Sequence, residues 1–367
     1  MEPSIRWSTP CKTGRRLRCT AVCVFLLSTL YILLPFNLSR EILQATDAVP
    51  TPTAQSGQGS AQLSGNLAAA TIEINRIHNH SLDDYAAAQP TRHWVFGNLA
   101  PDSAWQFNVK AMREVRNITT RRLNLGTRLQ EHRWGNVTNY TALPIGHYNT
   151  CAVVGNSGVL LGSRCGPEID SKDYVIRIDL PVLRGFQRDV GGRTNMTVLN
   201  LKTPLRLAQS SRFKNRSQDV YESRLRDVKD SILLADPRAR KNIINALGAY
   251  KMPFTVLITE NQLRTGTMSI ASQIANRKMK GTATIGLVSV LLMTTFCDHS
   301  YMYGFFPFMK DVNNVTVPYH YYPHDNVYPP MENKFDELHK VDQEYELHKD
   351  LHRRGVLKMQ LGPCEKH

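Results

Sequence analysis

Apolar positions fall into distinct regimes along the chain. Cys19–Phe36 reads CTAVCVFLLSTLYILLPF, eighteen residues without a charge. A helix of that length spans roughly 27 Å, close to the hydrocarbon thickness of a thin bilayer. Residues 19–36 are therefore expected to form a transmembrane signal anchor. Thr46 to Ala70 is rich in Pro, Ser, Gln, Gly, Thr and Ala, a composition that buries no core and reads as a flexible stem. From Cys151 onward, short apolar runs recur between helical or loop segments: CAVVG, YVIRI (174–178), TVLNL (197–201), SILLA (231–235) and FTVLITE (254–260). Runs of this length predict buried strands of a mostly parallel sheet with helices on both faces, a Rossmann-like α/β architecture. In such sheets ligands bind at the carboxyl ends of strands, where Gly155-Asn156-Ser157-Gly158 would sit. The segment 83–140 shows no such runs and is read as helices and loops.

Charge orients these parts. Arg6, Lys12, Arg15, Arg16 and Arg18 precede the apolar run, against Glu2 alone. The positive-inside rule keeps that end cytosolic and makes the rest luminal. The competing reading, a cleaved signal peptide, lacks a small-x-small site after the run. The expected division is a cytosolic tail over 1–18, the anchor over 19–36, a stem over 37–82 and a luminal domain over 83–367. Eight Asn-x-Ser/Thr sequons, at Asn37, Asn79, Asn117, Asn136, Asn139, Asn195, Asn215 and Asn314, agree with a glycosylated secretory protein. Cys151, Cys165, Cys297 and Cys364 are the four luminal cysteines of seven in the chain. An even luminal number predicts two disulfides, and four cysteines allow three pairings.

Composition narrows the chemistry. Of 367 residues, 42% are hydrophobic and 21% charged, which suits a packed globular domain. Lys+Arg number 45 against 31 Asp+Glu, a net charge of +14 that favours anionic partners. Nucleic acid would fit the charge, but a luminal location and the sequons oppose it. Seven Lys/Arg between Lys110 and Arg133 form either a solvated helix face or a docking surface for an acidic polymer. There is no G-x-G-x-x-G dinucleotide fingerprint, and no Asp-x-Asp to hold a divalent ion on nucleotide phosphates; Glu168-Ile169-Asp170 is the nearest substitute. No metal or other cofactor is expected.

Four segments carry a specific resemblance. Cys151–Asn200, opening CAVVGNSGVLLGSRCG, resembles the large sialylmotif of animal sialyltransferases. Gly286–Phe308, GLVSVLLMTTFCDHSYMYGFFPF, resembles the small sialylmotif. Tyr319–Tyr322, YHYY, resembles motif III, and His339 with Glu344 in HKVDQE resembles the His-x4-Glu very small motif. They occur in family order behind an anchor and stem. GNSGVLL, FQRDVG, YHYY and the C-terminal LHRRGVLKMQLGPC look most like the alpha-2,8-sialyltransferases. The resemblance implies a variant of the GT-A fold in a type II Golgi membrane protein. The implied reaction is inverting, metal-independent transfer of sialic acid from CMP-sialic acid to a hydroxyl of a sialylated glycan on glycoprotein or glycolipid.

That chemistry needs a base near the working pH for the acceptor hydroxyl, and donors for the departing phosphate. The resemblance assigns His339 as the base and places His320 beside the phosphate. It puts Asn156, Asp179, Thr284, Ile285, Gly286 and Phe306 at the donor. His339 is expected in a loop before a helix capped by Asp342, with Glu344 in its first turn. Three residues depart from the family pattern. Asp179 replaces an Asn, and a carboxylate there would repel the phosphate unless Arg177 or Arg193 neutralised it or it bound a ribose hydroxyl. Ile285 replaces a Thr, and Phe306 replaces a Trp. They keep open an alternative, a catalytically weak or silent relative that binds glycans. The family pattern also implies the pairings Cys151–Cys297 and Cys165–Cys364.

Overall fold

The computed structural model describes residues 105–122, 129–133, 136–140, 145–259, 264, 266–308, 310, 315–323, 339–360 and 363–364. The expected tail, anchor and stem lie outside them, as do Asn37, Asn79 and Asn314. Among the described residues no helix is long and apolar enough to cross a membrane.

Nine strands form one sheet: β1 (Leu129–Arg133), β2 (Asn136–Tyr140), β3 (Tyr148–Val154), β4 (Tyr174–Ile178), β5 (Met196–Val198), β6 (Ile232–Ala235), β7 (Thr255–Thr259), β8 (Cys297–Tyr303) and β9 (Leu357–Met359). Their order is β2-β1-β7-β6-β5-β4-β3-β8-β9. The stretch from β7 to β9 is parallel throughout, while β1 and β2 add an antiparallel hairpin at the β7 edge. The described helices are α1 (Val109–Arg122), α2 (Gly166–Asp170), α3 (Gln187–Val190), α4 (Lys202–Ser210), α5 (Val220–Asp227), α6 (Arg240–Tyr250), α7 (Thr267–Ile274), α8 (Ile285–Met293) and α9 (Val341–Arg353).

Alternation along the strands builds two cores. Cys151 and Val153 of β3 join one apolar cluster, with α1, α7, α8 and α9; Ala152 and Val154 join the other, with α2, α4, α5 and α6. Tyr174 and Ile176 of β4 face the first cluster, and Val175 the second. Successive side chains of a strand point to opposite faces, so a strand covered on both sides must be apolar at every position. This is why the central strands read as continuous apolar runs.

The expected parallel sheet with helices on both faces is present, but the reading of 83–140 as helices and loops needs correction. Beside α1 it contains the hairpin β1–β2. LQEHR and NVTNY are polar because the hairpin closes the sheet edge, where Val137 and the other described side chains of β2 are exposed. The basic stretch also divides. Lys110, Arg113 and Arg121 are exposed on α1, whereas Arg116 turns inward to donate to the Thr294 and Cys297 carbonyls and to Asp298. Arg116 is thus a tie between α1 and the start of β8 rather than part of a free surface. Four sequon asparagines, Asn117, Asn136, Asn139 and Asn215, are exposed. Asn195 is half-buried and accepts from the Val175 N–H at 2.9 Å, a structural bond beside β4.

Both expected disulfides are present. Cys151 and Cys297 join the neighbouring strands β3 and β8 with Cα atoms 6.0 Å apart, and Cys165 and Cys364 tie the chain's end to the segment after β3 at 4.8 Å. They close intervals of 146 and 199 residues. Long closures of this kind each stabilise by about 2–5 kcal/mol. Non-reducing peptide mapping should recover these two pairs. The double change Cys165→Ser with Cys364→Ser should lower the unfolding free energy by that amount; a Cys151–Cys165 peptide or an unchanged midpoint would contradict the arrangement.

Candidate active site

The strand order reverses at β3. The chain runs from β3 through β4 to β7 on one side, and places β8 and β9 on the other. At such a reversal a crevice forms outside the carboxyl ends of the strands. A cavity of about 200 Å³ lies there. It is lined by Gly155, Asn156 and Ser157 after β3, Ile178 of β4, and Gly304, Phe305, Phe306 and Pro307 after β8. Thr284, Ile285 and Gly286 at the start of α8, Tyr319 and His320, and Val341, Glu344, Tyr345 and His348 of α9 complete it.

Close backbone packing fixes the first loop. Gly155 donates to the Tyr303 carbonyl at 2.8 Å, and a Cβ at residue 155 would lie 2.4 Å from the Gly304 oxygen. No other residue fits that approach. Further along, the Gly158 N–H donates to the Pro318 carbonyl and the Tyr321 N–H to the Asn156 carbonyl, each at 2.8 Å. These bonds hold the segment around His320 from both sides. Its ring stacks on Tyr319 at 4.7 Å between centroids and lies 5.0 Å from Tyr322. The Asn156 Nδ2 donates to the Ile178 carbonyl at 3.1 Å, which leaves Oδ1 buried without a hydrogen-bond partner.

Helices α8 and α9 meet through one carboxylate. Thr284 caps α8, its Oγ1 accepting from the Leu287 N–H at 3.1 Å. The Thr284 N–H and Oγ1 donate to the two oxygens of Glu344, at 2.8 and 2.5 Å. Glu344 is buried, and desolvation pushes its carboxyl up to about 7, against the lowering effect of the Thr284 bonds and of Arg264. Two more bonds close the junction: Lys280 N–H to Gln343 Oε1 at 3.1 Å, and His339 Nδ1 to the Thr282 carbonyl at 2.6 Å. A carbonyl only accepts, so Nδ1 of His339 carries the hydrogen and the neutral ring keeps its lone pair on Nε2. Burial lowers the pKa of His339 below the ordinary 6.5; the Thr282 bond opposes the shift and the cations Arg264 and Lys202 add to it.

The structure gathers Asn156, Thr284, Ile285, Gly286, Phe306 and His320 around one cavity. His339 does not line it but sits at its margin: the bonded residues Thr282 and His339 are each two positions from lining residues, Thr284 and Val341. His339 precedes α9 and Glu344 lies in its first turn, as expected, but the helix starts two residues earlier than an Asp342 cap requires. Lys340 takes the cap position, its carbonyl accepting from Gln343 and Glu344, and Asp342 falls in the first turn. Asp179 does not line the cavity either, but directly follows Ile178, which does. Its φ is +62°, a conformation Asp and Asn adopt more readily than most residues. Its carboxylate accepts from the Asn200 side chain and N–H. Neither expected arginine bonds it: Arg177 is fully buried and donates to the Arg193 carbonyl and to Thr194, and Arg193 is engaged by Asp170 and the carbonyls of 170, 172 and 173. His348 and Tyr345 were not anticipated; the one sequence signal for His348 is its place four residues after Glu344, on the same helix face. Among the described residues no group of three or more His, Cys, Asp or Glu is arranged to hold a metal ion.

What the cavity offers is a helix N-terminus, the imidazoles of His320 and His348, the Asn156 amide and an aromatic wall. A helix N-terminus favours anions, and an aromatic wall suits a planar ring. The family model for "Glycosyltransferase family 29 (sialyltransferase)" matches residues 100–356. The chain belongs to this family. Alpha-2,8-sialyltransferase 8F of Mus musculus is 29% identical over 230 residues, 59% of this chain and 54% of that protein. The chain thus spans about half the length of this curated relative. Two solved structures also match over 74% of this chain: a mammalian sialyltransferase (18% identity, TM-score 0.39, 83% of that chain) and one in complex with Gal-beta-1-3GalNAc-ortho-nitrophenol (17%, 0.40, 96%).

The buried Glu344 gives a stability signature. Its carboxyl is raised from 4.5 to about 7, so its contribution is fully present below about 4.5 and is lost as the pH rises through about 7. Glu344→Gln has no proton to lose. Its melting temperature relative to wild type should climb between pH 4.5 and 8, and parallel melting curves across that range would contradict the burial of an ionising carboxyl.

Proposed function

We propose that this chain transfers sialic acid from CMP-sialic acid to a hydroxyl of a sialylated glycan, forming an alpha-2,8 linkage with inversion and without a metal ion. The observation that carries the reading is the convergence of residues from four motifs, spread from Asn156 to Glu344, on one crevice at the reversal of strand order. The alpha-2,8 assignment draws on the motif resemblance and on the similarity to the mouse relative. The metal-free assignment draws on the absence of Asp-x-Asp from the sequence.

Each residue then has a task. The N-terminus of α8, with Gly286 allowing close approach, favours the donor phosphate. His320, held between Tyr319 and Tyr322, donates to the leaving phosphate as negative charge builds on it. Asn156 contacts the nucleotide. His339, neutral at working pH with its lone pair on Nε2, removes the acceptor's proton. Glu344 positions Thr284 and does not enter the reaction. The apolar run at 19–36 anchors the protein in the Golgi membrane with this domain in the lumen; the sequons and two disulfides suit that compartment.

A second reading, a donor-binding relative with weak or no transfer, rests on Ile285 and Phe306. Both line the cavity and offer no side-chain donor. The deciding experiment incubates purified luminal protein with CMP-sialic acid and a panel of sialylated glycolipids and glycoproteins, and analyses product linkage. Alpha-2,8-linked product supports the first reading; CMP binding without product supports the second.

Two further outcomes follow from the assigned roles. His339→Ala should abolish transfer with CMP binding largely intact, while His320→Ala weakens both; near-normal turnover of His339→Ala would remove it from the mechanism. In the wild type, kcat/KM should fall as the pH drops through the His339 pKa, which lies under 6.5, because the base must be unprotonated. Activity should persist in EDTA, and loss restored by Mn²⁺ or Mg²⁺ would overturn the metal-free assignment.

A further inference from the structure

α9 brings to the cavity one residue that no motif singles out. His348 lies four residues after Glu344, so the two share a helix face. It is 3% exposed, and its Nε2 is buried without a hydrogen-bond partner. Its ring meets Phe305 edge-on, with centroids 5.6 Å apart and planes at 80°. Burial alone lowers its pKa, to about 4, so the ring is neutral at physiological pH.

A buried polar atom left unpaired is costly, and native proteins rarely keep one without a reason. Asn156, which lines the same cavity, carries another such atom in its Oδ1. Asn156 Nδ2 is committed to the Ile178 carbonyl, so Oδ1 can only accept. A sugar hydroxyl would satisfy it. His348 has different surroundings: Phe305 and a buried setting penalise charge, so its partner is a neutral group. Phosphate and carboxylate are better served by the start of α8 and by His320. Of the parts of a nucleotide donor, the base is the one that is planar, neutral and rich in hydrogen-bonding edge atoms.

We propose that His348 selects the donor's base, its Nε2 hydrogen-bonding the edge of a pyrimidine ring held against the Phe305 side of the cavity. This rests on the nucleotide reading above. At the N3 and 4-position edge the two bases differ: an Nε2–H donor matches the bare N3 of cytosine and meets the N3–H of uracil, so that tautomer favours cytosine. His348 therefore acts on which nucleotide binds, not on the transfer step.

Calorimetric titration of the full luminal protein with CMP, UMP and ribose 5-phosphate tests this. Wild type should prefer CMP to UMP. His348→Leu, which fills similar apolar space, should bind CMP roughly ten-fold more weakly and lose most of the CMP/UMP preference, with ribose 5-phosphate binding unchanged. His348→Gln, which keeps a hydrogen-bonding group, should recover part of the CMP affinity. Because it removes an unpaired buried nitrogen, His348→Leu should melt no lower than wild type. An unchanged CMP/UMP ratio in His348→Leu with CMP still bound would overturn the role of His348 alone; failure of wild type to bind CMP would overturn the nucleotide reading and this role with it. A measurement on unaltered protein backs these up. In histidine-labelled protein the His348 ring resonances should move on adding CMP and not on adding ribose 5-phosphate, and a signal indifferent to CMP would count against the contact.

Discussion

Glu344 carries the one buried carboxylate that joins the two helices of the site. Its oxygens accept from the Thr284 N–H and hydroxyl, and the same hydroxyl accepts from Leu287 to cap α8. A single side chain thereby fixes both the start of α8 and the first turn of α9. Desolvation alone would expel such a group, and it is retained because both oxygens are satisfied. The positions of Ile285 and Gly286 on one side, and of Val341, Tyr345 and His348 on the other, follow from this contact. So does the placement of His339, whose bond to Thr282 lies just outside it.

The sheet supplies the other half of the site. Reversal of strand order at β3 opens a crevice, and the Gly155–Gly304 approach sets how closely its two loops meet. The Cys151–Cys297 bond joins the strands from which those loops leave. Geometry is thus fixed by covalent and backbone contacts on the sheet side and by a buried polar contact on the helix side. The backbone contacts tolerate pH change; the polar contact includes a carboxyl titrating near neutrality. A pH-dependent change in the site therefore begins at the α8–α9 junction and leaves the sheet intact.

Much of this was legible in the sequence. Central strands buried on both faces must be continuously apolar, so β3, β4, β6 and β7 announced themselves as runs. The cysteine pairs and the gathering of Asn156, Thr284, Phe306 and His320 were implied by motif resemblance and are present as contacts. What was hidden depends on solvent and on partners distant in sequence. The β1–β2 hairpin is polar because it forms the sheet edge, and polar alternation resembles loop. Arg116 looked like surface charge, yet its partners are carbonyls near residue 295, some 180 positions away. Position in a motif likewise did not reveal that the Asp179 carboxylate is bonded by Asn200. His348 was one histidine among twelve until the fold placed it in a cavity wall.

The central claim is that the Thr284–Glu344 contact builds the cavity proposed to hold the donor. Its most direct test is the affinity of the purified protein for CMP, measured by calorimetry, in wild type and Thr284→Val. Valine keeps the branched shape but cannot cap α8 or donate its side chain to Glu344, a loss of about 1–3 kcal/mol at the junction. The account predicts CMP binding weakened by roughly ten-fold or more in a protein whose secondary structure is unchanged. CMP affinity equal to wild type in a folded Thr284→Val protein would contradict it.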